Sequence, residues 1–395
     1  MADPSGTRRA IEENMLAIID SAGVKESRDL HDDRMSFLEA VRMIPMLPTP
    51  RIYSAVFDIW RKDAGDLEAV MTCYQILTDL GKKYPRTYLS DSDKNARFGE
   101  GGKEVVVDKE VWSPFVVSFG GHVNESNSQN SNDLLDTNRF SLLLQEVVQA
   151  LTEKESKDKH LSTILIKDML LFEYLVNDIE KDFLPRHTVY KEVLNWTLLR
   201  ESLLNKLVSS RRLPFKGFIK DCISVICNRV NLYDLKEDCD SSIKFGLSEI
   251  ANKTHLSVQK LLILVMELDV IKIEAETFGY TSRADGMRTP ALGIILDELM
   301  YNKDLIQSFL QGFSEAKWKL EIILQYFWMC FPKPSIKTRN SSKVGDNVTL
   351  GAVLTYVSDS KNNKRINRKI TDVAMLLAYA FQVILYFYSL SPKYI

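Results

Sequence analysis

Apolar side chains recur along this chain with the period of an α-helix, and this pattern restricts the fold more than any other feature. The clearest stretch runs from His160 to Leu184, where apolar positions are separated by steps of three and four residues. Such steps place them on one face of a helix. Helices of this kind bury their apolar faces by packing on other helices. The sequence therefore predicts an all-α fold.

Comparable patterns cover most of the remaining chain. No fixed-length repeat is visible, so the pattern favours a helical solenoid or an irregular helical array without identifying a repeat class. Pro185 is expected to separate two helices, because proline disfavours a helix interior. Further helices are predicted over Ala10–Asp20, Asp32–Met43, Tyr53–Lys62, Leu67–Tyr84, Arg139–Glu153, Val189–Ser209, Phe215–Tyr233 and Leu256–Ile273. The last of these is apolar nearly all round, which is typical of a central helix covered on several sides.

The segment from Thr281 to Pro334 contains separate helix signals. Thr289 and Pro290 predict a helix start, with a capping hydroxyl followed by a proline at the first helical position. Glu315–Phe331 predicts a second helix, ended by the prolines that follow. One face of that helix is expected to carry Ile322, Ile323, Tyr326, Phe327 and Cys330.

Helical patterning is interrupted between Pro85 and Asn138. Only Val105–Val107 and Val116–Val117 have an extended pattern there. Gly120–Asp133 is rich in Asn, Ser and Gly, and it has too few apolar side chains to offset the entropy of ordering. We interpret it as a disordered loop.

These boundaries predict the organisation of the whole chain. A linker rich in Ser, Lys and Pro separates the main array from the C-terminal sequence. The predicted parts are an N-terminal helical part (1–84), an irregular insertion with the disordered loop (85–138), a main helical array (139–331), a basic Ser/Pro linker (332–346) and a C-terminal helical piece (347–395).

Charge and cysteine content exclude several classes of protein. The formal net charge is −2 over 395 residues, whereas a broad phosphate-binding surface needs a clustered excess of Lys and Arg. Any DNA contact would have to be local. The five cysteines have no paired spacing and the N-terminus lacks the apolar core of a signal peptide, so we expect a reduced, intracellular chain.

No motif predicts an enzyme, a cofactor or a metal. The Gly-rich stretch Gly99–Lys103 lacks the spacing of a phosphate-binding loop and is interpreted as a turn. Cys222 and Cys227 are too far apart for a metal knuckle and are interpreted as buried thiols on a helix. The histidines are scattered through unrelated contexts, at His31, His122, His160, His187 and His255.

Two charged segments are candidate binding sites. Arg283, Asp285 and Arg288 form a charged loop that either contacts a partner or ties the loop to a neighbouring helix. A basic cluster further along the chain is either a nuclear-import or phosphate-contact site or a solvated loop before a helix. The cluster consists of Lys361, Lys364, Arg365, Arg368 and Lys369.

An apolar stretch near the C-terminus raises an alternative. Val373–Leu390 is long enough for a marginal tail anchor and follows the basic cluster. Gln382 in the middle of the stretch weakens that interpretation. A membrane partner is therefore not the favoured expectation.

Several stretches resemble the plant negative regulators of systemic acquired resistance, the suppressor-of-NPR-inducible family. The longest are TSRADGMRTPALGIILDEL, which begins at Thr281, and MLAIIDSAGVKESRDLHDDRMSFLEAVR, which begins at Met15. Others are YLSDSD, VWSPF, YKEVLNWTLLRESLLN, VMELD, SEAKWKLEIILQY, FPKPSIKTR and RKITDVAMLLAYAF. The resemblance is expected to stop after Phe381, which would make the C-terminal piece a truncated or alternative end.

The resemblance implies an armadillo-like, nuclear, non-enzymatic scaffold without a cofactor or small-molecule substrate. It implies repression of defence genes and systemic acquired resistance, together with roles in the DNA damage response and in recombination. The implied partners are the counterpart of the fifth non-SMC element and the SMC five-six ATPase subunits, with DNA contacted indirectly or weakly. The alternatives are a tail-anchored membrane protein and a direct DNA-binding transcriptional repressor.

Overall fold

A computed structural model of the chain is dominated by helices. It describes residues 13–17, 27–45, 47–62, 66–89, 106–109, 112–115, 137–152, 159–228, 241–280 and 288–330. Apart from one pair of short strands, the regular structure in these ranges is helical. The prediction of an all-α fold, consistent with a helical solenoid or array, is confirmed.

The helices and strands are labelled in chain order. Residues 13–17 are also helical and lie within the first predicted helix. The labelled elements are α1 (Ser27–Arg42), α2 (Pro50–Lys62), α3 (Leu67–Lys83), β1 (Thr87–Leu89), β2 (Val106–Lys109), α4 (Thr137–Thr152), α5 (Lys159–Val193), α6 (Trp196–Arg200), α7 (Leu203–Val208), α8 (Phe215–Cys227), α9 (Ser241–Thr277), α10 (Ala291–Tyr301), α11 (Asp304–Gly312) and α12 (Ala316–Cys330).

The chain divides into two compact units. The first consists of Met1–Asp221 and Val230–Met287. The second consists of Cys222–Arg229 and Arg288–Ile395. Helix α8 therefore contributes its first residues to one unit and its last residues to the other.

Helix α5 is the centre of the first unit. It packs most extensively against α9 and also contacts α3, α4, α6 and α7. The apolar face predicted for this stretch is confirmed from Met169 onwards, since its members are buried. These members are Met169, Phe172, Val176, Ile179 and Phe183. The predicted burial of this helix on several sides is confirmed in the middle of α9, for example at Val258, Leu261, Leu262, Val265 and Leu268.

Pro185 does not end a helix, and that prediction is wrong. Helix α5 continues through Pro185 to Val193. A proline costs the helix one backbone hydrogen bond. Phe183 and Tyr190 are buried on either side of it, so tertiary packing keeps both halves helical.

The single helix predicted over Val189–Ser209 is instead three helical pieces. Leu194 ends α5 with a φ of 51°, in the left-handed region. The Asn195 side chain then caps α6 by accepting a hydrogen bond from the Thr197 N–H at 3.0 Å. Ser202 caps α7 in the same way, accepting from the Asn205 N–H at 3.2 Å. Capping side chains, which favour helix starts, override the continuous apolar pattern here.

A small antiparallel sheet lies within the interruption between α3 and α4. Strands β1 and β2 pair with Tyr88 opposite Val107. The extended pattern at Val105–Val107 correctly predicted part of β2, but β1 was missed because three residues are too few for an alternation signal. Val116–Val117 and Gly120–Asp133 lie outside the described residues.

Trp112 attaches the segment after β2 to helix α2. Its indole N–H donates a hydrogen bond to the Ser54 hydroxyl at 2.9 Å. Its ring stacks on Tyr53 with a centroid distance of 5.7 Å. Phe115 contacts Phe140 of α4 at a centroid distance of 6.1 Å. These contacts connect the stretch VWSPF to two helices of the first unit.

The second unit contains α10, α11 and α12. The predicted helix start at Thr289 and Pro290 is misplaced by one residue, because Pro290 occupies the capping position and α10 begins at Ala291. No side-chain hydrogen bond caps this helix. The predicted apolar face of α12 is confirmed at Ile322, Ile323 and Tyr326, which are buried. The side chains of Phe327 and Cys330 are outside the described set.

Gly312 allows a close approach between α11 and the end of α8 within this unit. A Cβ atom at Gly312 would collide with the carbonyl oxygen of Ile226. The same approach brings the Cys227 thiol within 3.9 Å of the Leu305 carbonyl oxygen. A glycine is needed here for space rather than for backbone freedom.

We expect Gly312→Ala to destabilise the protein, because the backbone of α8 must move to accommodate the methyl group. The cost is about 1–3 kcal/mol, as for overpacked cores. Urea denaturation of the purified chain measures the change in free energy of unfolding.

Gly246→Ala is the matched control, because Gly246 lies in α9 and a Cβ there has no neighbour within 4 Å. Alanine should stabilise that helix by roughly 0.5–1 kcal/mol. Equal effects of the two substitutions would contradict the close approach between α11 and α8.

Candidate functional site

The residues predicted to bind partners lie mainly outside the described ranges. Arg283 and Asp285 of the charged loop fall between α9 and α10 and are not described. Arg288 is half-buried just before α10. The basic cluster over residues 361–369 lies entirely outside the described ranges. Both assignments therefore stay predictions.

Helix α9 ends in a cap formed at Gly279, immediately before the charged loop that contains Arg283 and Asp285. Gly279 has a φ of 75°, a left-handed conformation that favours glycine. The Tyr280 N–H donates to the Ala275 carbonyl at 2.9 Å, and the Gly279 N–H donates to the Glu276 carbonyl at 3.1 Å. This pair of bonds is the Schellman arrangement, which fixes the direction in which the chain leaves a helix.

An exposed apolar group surrounds this helix end. Phe278 is 59% exposed and Tyr280 is 53% exposed, and their ring centroids lie 6.0 Å apart. Val270 and Ile273 are exposed on the preceding turns. We call the contacting pair Phe278 and Tyr280 the helix-end cluster. Apolar side chains gathered on a surface mark contact sites for other macromolecules.

The sequence analysis missed the helix-end cluster. It interpreted the apolar run as a helix covered on several sides, which is correct for the middle of α9 but not for its end. The sequence signal that could have indicated this cluster is the pair Phe278 and Tyr280 on either side of Gly279. A capping glycine ends the helix, so the residues beside it no longer follow the buried helix face.

Tyr190, near the end of α5, lies close to Tyr280 of the helix-end cluster. The Tyr190 side chain is buried. Burial raises the pKa of its phenol, and the neighbouring Glu274 and Tyr280 raise it further. The phenol therefore stays neutral at physiological pH. The effect of Tyr280 on this pKa indicates that the end of α5 lies near the helix-end cluster.

Lys260 fixes the position of α9 along α5. Its ammonium group donates to the Glu180 carboxylate at 2.7 Å and to the Asn177 side-chain oxygen at 3.1 Å. Both acceptors belong to α5. A charged bond between two packed helices adds direction to apolar packing, which has none by itself.

A buried carboxylate, Asp182, organises the other side of α5. One of its oxygens accepts from Arg186 Nε at 3.1 Å, and the other accepts from the Leu203 N–H at 2.7 Å. Arg186 also donates to the Leu198 carbonyl at 3.3 Å. These bonds connect α5 to α6 and to the start of α7.

Arg86 extends this network to the beginning of the small sheet. Its guanidinium donates to Asp178 Oδ2 at 3.0 Å and lies 4.0 Å from Asp182 Oδ1. Burial raises the pKa of Asp178, while the Arg86 charge opposes that rise. Arg86 directly precedes β1. The network therefore fixes the point at which the chain passes from the helices into the small sheet.

Cys73, Cys222 and Cys227 form no disulfide bonds. Cys73 and Cys222 are buried, which confirms the interpretation of Cys222 as a buried thiol on a helix. Cys227 is half-buried, and burial raises its pKa to about 12. A protonated thiol is a poor nucleophile. In the described ranges no cluster of three or more His, Cys, Asp or Glu side chains could hold a metal ion.

The described histidines take part in helix packing. The His31 ring Nδ1 contacts the carboxylate of Asp66, the residue that caps α3. His255 shares a hydrogen bond of 2.9 Å with Gln259 one turn later. The side chains of His122 and His160 are not among those described, and neither is the Gly-rich stretch at residues 99–103.

The tail-anchor alternative concerns residues outside the described ranges. Where the structure describes the chain, no helix combines the length and the apolar character needed to cross a membrane. Val373–Leu390 lies beyond that part. The alternative therefore stays a prediction.

Taken together, the fold defines an all-α, helical-array protein. A family model described as the SNI1 middle domain matches residues 86–315, and one described as the SNI1 C-terminal domain matches residues 331–393. The chain belongs to this family, the SNI1 family. No solved structure matches it.

A curated relative supports the assignment over nearly the whole chain. The negative regulator of systemic acquired resistance SNI1 of Arabidopsis thaliana is 38% identical over 387 residues, which cover 95% of this chain and 83% of the relative. The C-terminal family model extends to residue 393. The expectation that the resemblance stops after Phe381 is therefore wrong.

We expect Asp182→Ala to destabilise the fold strongly, because it leaves the buried Arg186 without its carboxylate partner. Removing one partner of a buried ion pair costs about 3–5 kcal/mol. Chemical denaturation monitored by circular dichroism measures this change.

Asp79→Ala is the control, since the Asp79 side chain is 71% exposed in an ion pair with Lys82. Its effect should stay within about 0.5 kcal/mol. An Asp182→Ala variant as stable as this control would show that the buried network does not hold α5, α6 and α7 together.

Proposed function

We propose that this chain is a non-enzymatic scaffold protein that acts as a negative regulator of systemic acquired resistance. Family membership and the name of the Arabidopsis relative support the regulatory role. The all-α fold supports the scaffold role, because packed helices offer rigid surfaces to partners.

The finer proposal concerns the complex in which the chain acts. By family resemblance, it is a nuclear, armadillo-like subunit of the SMC five-six complex. Its direct partner is the counterpart of the fifth non-SMC element, through which it reaches the SMC five-six ATPase subunits. Repression of defence genes and control of recombination and DNA damage responses are the outcomes.

The observation that carries the scaffold proposal is the helix-end cluster. It holds two exposed aromatic rings in a fixed direction, and aromatic residues dominate the energetics of protein interfaces. Fully burying a large apolar side chain contributes about 1.5–3 kcal/mol, so two such rings make a sizeable contact. The cluster also directly precedes TSRADGMRTPALGIILDEL, the longest stretch of family resemblance in this region.

The proposal is tested by affinity purification from plant nuclei followed by mass spectrometry. The wild-type chain should recover the fifth non-SMC element counterpart and the SMC subunits. Phe278→Ser combined with Tyr280→Ser should reduce that recovery at least tenfold, because the apolar contact is lost while the helix cap at Gly279 is retained.

Tyr301→Ser is the matched control, because Tyr301 is 91% exposed and lies outside the cluster. Its recovery of partners should equal that of the wild-type chain. If the double variant recovers SMC subunits at wild-type levels, the helix-end cluster is not part of the interface. Absence of these subunits from the wild-type sample would overturn the scaffold proposal itself.

A further inference from the structure

The surface around the helix-end cluster is acidic. Residues 267–280 contain four acidic side chains and one basic side chain. The basic one, Lys272, is buried. Glu274 and Glu276 are exposed on the last turn of α9, and neither forms an ion pair with another described residue. The end of α9 therefore carries two aromatic rings and two carboxylates that have no cationic partner within the described residues.

The side chains of this surface converge. The Phe278 N–H donates to the Glu274 carbonyl at 3.2 Å, and residues four apart lie on the same side of a helix. The ring centroids of Phe278 and Tyr280 are 6.0 Å apart. Burial raises the pKa of the Tyr190 phenol, and Glu274 and Tyr280 raise it further, so both lie near that phenol. These four residues therefore belong to one site.

The Tyr190 hydroxyl is an unused hydrogen-bonding group at this site. The side chain is only 2% exposed, and its hydroxyl has no hydrogen-bond partner in the described part of the chain. Buried polar atoms normally have a partner. A hydroxyl oxygen can accept hydrogen bonds, and the carboxylate of Glu274 can only accept them. The site therefore favours a ligand that brings donors.

Arginine is the side chain that fits these groups. Its guanidinium stacks on aromatic rings within about 6 Å, carries donors and no acceptor, and forms charge-assisted bonds with carboxylates. An anion would be repelled by Glu274 and Glu276, and a purely apolar ligand would bury Glu274 without a partner. The exposed side chains of Val270 and Ile273 add apolar surface on the preceding turns, which favours a protein over a free small cation.

We propose that the helix-end cluster, together with Glu274 and Glu276, binds an arginine side chain on the surface of a partner protein. The guanidinium lies against the rings of Phe278 and Tyr280 and donates to the Glu274 carboxylate. This inference rests on the proposed function, because it takes the cluster to be a protein interface. It adds that the partner is basic at this contact.

The first test measures binding of a labelled peptide to the purified full chain by fluorescence anisotropy at low salt. The probe has the sequence Gly-Leu-Arg-Leu-Leu-Arg-Gly. A second peptide replaces each arginine with citrulline, which has nearly the same shape and no charge, and a third replaces each with lysine. We expect the arginine peptide to bind at least fivefold more tightly than either. No binding of the arginine peptide, or equal binding of the three peptides, would overturn the proposal.

The second test changes the site. Glu274→Gln combined with Glu276→Gln should weaken binding of the arginine peptide about threefold to fivefold, and Phe278→Leu combined with Tyr280→Leu should do the same. These leucines keep apolar bulk but remove the ring faces that attract a cation, and one exposed cation–π contact accounts for a loss of about this size. An aromatic variant that binds the arginine peptide like the wild-type chain would contradict the proposed stacking.

The matched control is Glu39→Gln combined with Glu201→Gln, which makes the same change in net charge at exposed positions of the same unit. The control should bind the arginine peptide like the wild-type chain, and thermal melting should show that all variants are folded. Equal losses in the acidic variant and the control would mean that net charge alone governs binding, so the proposal would be wrong.

Affinity purification from plant nuclei separates this inference from the scaffold proposal. Lower recovery of partners by the acidic variant, with normal recovery by its control, supports the arginine contact. If the serine double variant at Phe278 and Tyr280 loses partners while the acidic variant keeps them, the scaffold proposal stands and the arginine contact is wrong. Self-association of the wild-type chain that the acidic variant abolishes in sedimentation would identify a second copy as the occupant and would also overturn the inference.

Discussion

The packing of α9 on α5 is the interaction on which the rest of the first unit depends. Both helices are long, and their apolar faces alone would allow them to slide along each other. Lys260 prevents this by bonding to Asn177 and Glu180 of α5. On another side of α5, Asp182 and Arg186 attach the short helices that follow it. Apolar burial provides most of the stability, and the polar bonds favour one arrangement of the helices over the others.

This arrangement also determines which surfaces are available to partners. Because α9 is fixed along its length, its exposed end is fixed as well, and Gly279 sets the direction of Phe278 and Tyr280. A rigid aromatic pair loses little conformational entropy when it binds, which favours its use as an anchor. The network around Arg86 acts similarly for the small sheet, since it places β1 at a defined point beside α5.

Helix positions could be predicted from the sequence because apolar periodicity reports directly on burial, as at Phe172, Val176 and Ile179. Predictions failed where local and tertiary preferences conflict. Pro185 stays inside α5 because packing outweighs one lost hydrogen bond, and Asn195 and Ser202 divide an apolar run that looks continuous. The helix-end cluster was not predicted, because whether Phe278 is covered depends on neighbours distant in sequence.

Net charge shows a similar limit for predictions from sequence. A net charge of −2 excludes a broad phosphate-binding surface but carries no information about local distribution. At physiological salt, charges separated by more than about 8 Å are largely screened from each other. Acidic residues on one surface of the molecule therefore do little to cancel basic residues on another. For a chain of this size, what a phosphate group meets is decided by the few charges that the local backbone places side by side.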